Sequence, residues 1–235
     1  MEEKKEEILV LPEEEGAFRK ALDFLYEKAV EGAGGLDGAD TLAKQYLAKE
    51  GSLEDQVDSL ILWQSMKSGG IGFLTGMGGI ASLPLAIPSS LLSTLFIQMQ
   101  MVAAIAIMGG EDPSKNRVKS FVFLCLLGNS AKDLVRELGI NVSKKLATEG
   151  IKRVSSSFIQ AINQKVGFRL LTKFGEKGLI NLSRLIPIAG GLVAGGIDGF
   201  STKGVGEVAK RVFILKNLEE ENPEELPIPI VPEKP

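Results

Sequence analysis

The chain has 235 residues, 44% hydrophobic and 24% charged, with a net charge of −3 and a mean hydropathy of +0.14. One domain of about 150–200 residues plus tails suits that length, and so much charge does not suit a bundle of membrane spans. The absence of histidine removes the commonest general base and metal ligand, and with them every Ser-His or Cys-His arrangement.

Met1 to Glu7 is acidic and lacks the apolar run that secretion requires, so the cytoplasmic side is the expected compartment. From Gly16 to Val30, Phe18, Ala21, Leu22, Leu25 and Ala29 recur at helical spacing, and Gly32 to Gly35 break the pattern. A short helix follows from Asp40, with Leu42, Tyr46 and Leu47 as its apolar side and Gly51 as its end. Ser52-Leu-Glu-Asp55 fits a capping box, in which the hydroxyl satisfies an orphan N–H and the carboxylate meets the positive helix end. The helix it opens places Val57, Leu60, Ile61 and Gln64 on one face, with Trp63 nearby.

From Ser68 to Gly110 no residue is charged. Gly69 to Ser82 reads as a close-packing helix in which Gly72 and Gly76 form a small face, and Pro84 and Pro88 then forbid a regular helix. Ser89 to Met108 is expected to be one helix of about 30 Å. Two readings fit it: a bilayer span, for which its serines and glutamines are poor, or a central core helix. Asp112-Pro113 looks like the N-cap and first position of an apolar helix that runs to Gly128. Cys125 within it is expected to be a buried structural thiol.

Ser130-Ala-Lys-Asp133 is a second capping-box candidate, opening a short amphipathic helix that ends at Gly139. Ile151, Val154, Phe158, Ile159, Ile162 and Val166 keep helical period. Leu185 to Ile197 is again uncharged, and Gly191, Gly195 and Gly199 line up at four-residue spacing as a second packing face. Asp198, at the end of that face, either pairs with a cation or emerges into water. The proline-rich tail after Asn222 is expected to be extended or disordered.

Charge is segregated along the chain. Residues 1–55 carry 7 basic and 15 acidic side chains, residues 144–184 carry 9 and 2, and residues 216–235 carry 2 and 6. In the basic segment Lys165, Arg169, Lys173 and Lys177 recur every four residues, beside Phe168, Leu171 and Phe174. On one helix they form a basic stripe suited to an anionic leaflet, although Gly167 and Gly175 allow it to split across two helices. No phosphate-binding loop, nucleophile elbow or nucleic-acid reader motif occurs, so no cofactor, metal or nucleic acid is expected.

Separate blocks of this chain resemble the EcsC protein family. They are Ala39-Asp-Thr-Leu-Ala-Lys-Gln-Tyr-Leu, Asp58-Ser-Leu-Ile-Leu-Trp-Gln64, Gly76-Met-Gly-Gly-Ile-Ala-Ser-Leu-Pro-Leu-Ala-Ile-Pro88, Leu124-Cys-Leu-Leu-Gly128, Val166-Gly-Phe-Arg-Leu-Leu-Thr-Lys-Phe-Gly-Glu-Lys-Gly178 and Leu185-Ile-Pro-Ile-Ala-Gly-Gly191. The resemblance runs from about Ala39 to Leu215. It implies a place near membrane transport, through a family member encoded beside an ABC transporter, and brings no catalytic residue.

The expected fold is all-α: a compact multi-helix domain around glycine-rich apolar helices, with membrane association left open. Residues 1–35 form an acidic arm with one helix, 36–215 the EcsC-like domain, and 216–235 the acidic tail. The expected function is non-enzymatic: a protein peripheral to the membrane on its cytoplasmic side, binding anionic lipid or a membrane-protein partner through Lys165, Arg169, Lys173 and Lys177. Integral insertion stays open beside it. A soluble module binding a protein or an apolar ligand is the alternative, and a hydrolase with an unrecognised site is the remote third.

Overall fold

The computed structural model describes residues 12–33, 35–68, 89–138, 150, 151, 154–174 and 201–216. Every regular element among them is helical. In chain order these are α1 (Pro12–Glu31), α2 (Ala39–Leu47), α3 (Leu53–Ser68), α4 (Ser89–Met108), α5 (Asn116–Cys125), α6 (Ser130–Glu137) and α7 (Ser156–Phe174). A last helix, α8, covers residues 201–210 and widens into a π turn at Arg211–Leu215.

The centre of the fold is α4, which packs against α1, α2, α3, α5 and the π turn. From Leu95 to Ala106 its apolar side chains are almost wholly withdrawn from water on every side. A helix apolar all round needs such a sheath. The surrounding helices supply the stripes that periodicity predicts: Phe18, Leu22 and Leu25 from α1, and Val57, Leu60 and Ile61 from α3. α1 is thus packed into the core rather than held apart from it.

The polar residues of α4 decide between its two readings. Gln98 Nε2 donates to Thr202 Oγ1 at 3.1 Å, Gln64 Nε2 donates to Gln100 Oε1 at 3.2 Å, and Gln100 Nε2 donates to the Asp37 carbonyl. Protein groups replace water as partners of Gln98 Nε2 and of both Gln100 amide atoms, while Gln98 Oε1 is buried with no hydrogen-bond partner among the described residues. α4 is the core helix of a protein sheath. Among the described residues, no helix is long and apolar enough to cross a membrane.

Local signals succeed where the partner is close in sequence. Ser52 N–H donates to Asp55 Oδ2 at 3.0 Å and Asp55 N–H donates to Ser52 Oγ at 3.2 Å, which is the reciprocal capping box. Two other helix starts differ from expectation. Asp112 caps a turn by accepting the Ser114 N–H at 2.9 Å, and α5 begins four residues later at Asn116. The N-cap of α6 is Asn129, which makes no side-chain cap, and the helix ends at Glu137 rather than Gly139. Leu47 is also exposed, because Ala39 and Ala43 join Leu42 and Tyr46 on the buried side of α2.

Two glycines permit close approaches that the glycine spacings did not suggest. A Cβ at Gly109 would lie 2.5 Å from the Phe213 carbonyl oxygen of the π turn. One at Gly206 of α8 would lie 2.7 Å from Ile61 Cγ1 of α3. Lys210 then fastens α8 to α3, with its ammonium 2.8 Å from Asp58 and 3.5 Å from Glu54.

The loop before α5 is fixed by Tyr26, whose hydroxyl donates to the Pro113 carbonyl at 2.7 Å. Burial, with Asp112 nearby, pushes that phenol above its ordinary pKa, so it stays a donor through the physiological range. Its ring meets Phe123 edge-on, centroids 5.6 Å apart. Tyr26→Phe should therefore cost about 1–3 kcal/mol by leaving the carbonyl without its partner. Chemical denaturation checks this, with the slope expected to stay constant while the midpoint falls.

Candidate functional site

The expected basic stripe begins on α7, which runs unbroken through Gly167 from Ser156 to Phe174. The possibility that Gly167 splits it is thereby removed. Lys165 and Arg169 lie one turn apart, and both bind Glu137 of α6. The Arg169 Nη2 contact is 2.6 Å, and Arg169 Nη1 also reaches the Ser130 carbonyl at 3.4 Å. Lys173 lies on the same helix, one turn beyond Arg169. Lys177 lies outside the described residues, as do Gly72, Gly76, Gly191, Gly195, Gly199 and Asp198.

Glu137 thus converts half of the expected stripe into a tether between α6 and α7. The hydrogen bond from Lys165, followed by the charges of Lys165 and Arg169, holds its carboxyl below the ordinary glutamate value of 4.5. A depressed carboxylate stabilises the fold above its unfolded pKa and loses that contribution as pH falls through the folded value. Acidification should therefore loosen α6 from α7 while the neighbouring helices persist. A carbon-detected NMR titration checks it: the Glu137 carboxyl should titrate below the ordinary glutamate value.

A second site emerges on α3, where periodicity had marked only the buried face. Val57, Leu60, Ile61 and Gln64 do form that face. The opposite side of the last two turns carries Leu62, Trp63 and Met66, which remain 59%, 51% and 60% exposed, together with exposed Lys67. Met66 lies four residues from Leu62 and three from Trp63, and Lys67 four from Trp63, spacings that make neighbours on a helix surface and join them in one patch. Contiguous exposed apolar side chains, unlike scattered single ones, call for a contact surface. The first turns of the helix are chemically different: Glu54, Asp55 and Asp58 are acidic and face Lys210 or the cap.

The signal for this patch was present in the sequence. Once Leu60, Ile61 and Gln64 are placed inward, the helical wheel turns Leu62 and Met66 outward. The Glu137 tether had no such signal, since its partners lie 28 and 32 residues away.

Chemical groups elsewhere in the described core are quiet. Cys125 is fully buried, and burial pushes its thiol well above the ordinary value, so the neutral form persists. Among the described residues no group of three acidic or cysteine side chains is placed to hold a metal ion.

A family model described as the EcsC protein family matches residues 24–218. The match begins inside α1, earlier than the blocks from Ala39 suggest, and so includes part of that core helix. No curated protein and no solved structure matches the chain.

Proposed function

Because this chain belongs to the EcsC protein family, and because the end of α3 presents apolar side chains to water, we propose a non-enzymatic protein that rests on an anionic membrane surface. The observation that carries this reading is the exposure of Leu62, Trp63 and Met66 beside Lys67. An indole has an apolar body and one N–H donor, so the boundary between headgroups and acyl chains suits it. Lysine next to it supplies positive charge at the depth of the lipid phosphates.

Sequence continuity supports the same surface. After Ser68 the chain enters Gly69–Pro88, which carries no charge. A segment without charged groups avoids the largest desolvation cost of approaching lipid. The basic 144–184 segment adds longer-range attraction. Lys165 and Arg169 contribute less, because Glu137 offsets part of their charge. The α3 face thus takes the leading role that the sequence assigned to the stripe.

Flotation of the full chain with vesicles tests the reading. Phosphatidylcholine vesicles containing phosphatidylserine should carry the protein upward, neutral vesicles should carry less, and high salt should reduce the difference. Protein left at the bottom with both compositions overturns the membrane reading. The same apolar face would then be assigned to a protein partner.

A further inference from the structure

A cleft of about 300 Å³ lies between α1, α5 and α7, built from elements other than the α3 face. Arg19 comes from α1, Lys119 from α5, and Asn116 and Asn163 from α5 and α7. Its ionisable side chains are Arg19, Lys119 and Asp23, so the cleft carries one net positive charge. Asp23 lies 2.7 Å from Lys119 and fixes the direction of its ammonium. Only 23% of the Lys119 side chain is exposed, and its nitrogen stands 5.3 Å from the Tyr26 ring centre and 5.8 Å from that of Phe123. Taking a cation so far out of water strengthens its pull on an arriving anion.

Gly167 supports the other cation. A Cβ there would lie 2.8 Å from Arg19 Nη2 and 3.3 Å from Cζ, so the missing side chain is the space the guanidinium uses. Below the polar groups, Leu22, Val166 and Leu170 give the cleft an apolar wall. A guanidinium, an ammonium and two amides above such a wall match a phosphate joined to a short carbon skeleton. Arginine presents paired N–H donors to phosphate oxygens, and the net positive charge of the cleft, with Lys119 already paired to Asp23, still draws a phosphate anion. The volume lies at the small end of the range for ligand pockets.

We infer that this cleft binds a phosphate monoester, with Arg19 and Lys119 as its anion contacts. The phosphate has two chemical sources, a soluble ester or the headgroup of a lipid. The inference does not depend on the α3 face.

Calorimetric titration with glycerol 3-phosphate, with glycerol as control, tests the soluble arm. Flotation on phosphatidylcholine vesicles containing phosphatidic acid, compared with equal phosphatidylserine, tests the lipid arm. Glycerol 3-phosphate should bind where glycerol does not, or phosphatidic acid should be preferred by tenfold or more. Arg19→Gln should remove most of either effect, and Lys119→Gln should do the same. Should Lys119→Gln fail to fold without its pair to Asp23, Arg19→Gln decides alone. Absence of both effects in the parent, or their survival in a folded Arg19→Gln variant, overturns the proposal. Leu62→Glu with Met66→Glu should lower total flotation yet leave the glycerol 3-phosphate titration unchanged, so the two surfaces fail separately.

Discussion

Exchanging Leu62 and Met66 together for glutamate is expected to weaken binding to anionic vesicles on the order of a hundredfold. Fully burying one such side chain is worth roughly 1.5–3 kcal/mol, and these two are 59% and 60% exposed in the free protein. Returning only that exposed part to an apolar phase gives about 2–4 kcal/mol for the pair. The two new carboxylates are also repelled by anionic lipid, which adds to the loss. Both positions face water, so the melting temperature should hardly move. Sedimentation with vesicles and a thermal melt measure the two effects side by side. Binding equal to that of the parent would remove α3 from the membrane contact.

Gly109→Ala should cost about 2 kcal/mol and lower the melting temperature by roughly 4–8 °C. The added methyl meets the Phe213 carbonyl oxygen at 2.5 Å and its carbon at 3.1 Å. These atoms belong to backbone in the π turn, with buried Phe213 and Val212 holding it against α4, so no flexible side chain can give way. Calorimetric unfolding of the variant measures the cost. An unchanged transition would mean that the π turn does not sit firmly on the end of α4.

The helices and their inward faces were legible because each exterior helix carries one apolar stripe, and a stripe is a local property. Phe18, Leu22 and Leu25 on α1, and Val57, Leu60 and Ile61 on α3, follow directly from it. α4 lacked that information, since a helix without a single apolar stripe suits lipid and protein alike. Its reading turns on Gln98 and Gln100, whose partners Thr202, Gln64 and Asp37 lie 104, 36 and 63 residues away. Asp112 and Asn129 show the same limit on a smaller scale. Short polar side chains serve turns and helix caps equally well, and tertiary packing selects between them.

The candidate site was legible as residue types and not as pairings. Four-residue spacing correctly put Lys165, Arg169 and Lys173 on one helix. It carried no information about Glu137, which reaches across from α6 and redirects two of the cations into structure. On α3 the exposed face of Leu62 and Met66 follows from the same periodicity that places Leu60 and Ile61 inward. Glycine propensity alone makes Gly167 a weak point in a helix, whereas in the fold it leaves room for Arg19.

Trp63 is the chain's single tryptophan, so its fluorescence reports on the proposed contact without any label. It is half exposed in the free protein, where the emission maximum should be that of a hydrated indole. Adding anionic vesicles should shift the maximum to shorter wavelength, and brominated lipids should quench it most when the bromines lie near the headgroups. Emission that keeps its wavelength, and stays open to aqueous quenchers at saturating anionic lipid, would contradict the account.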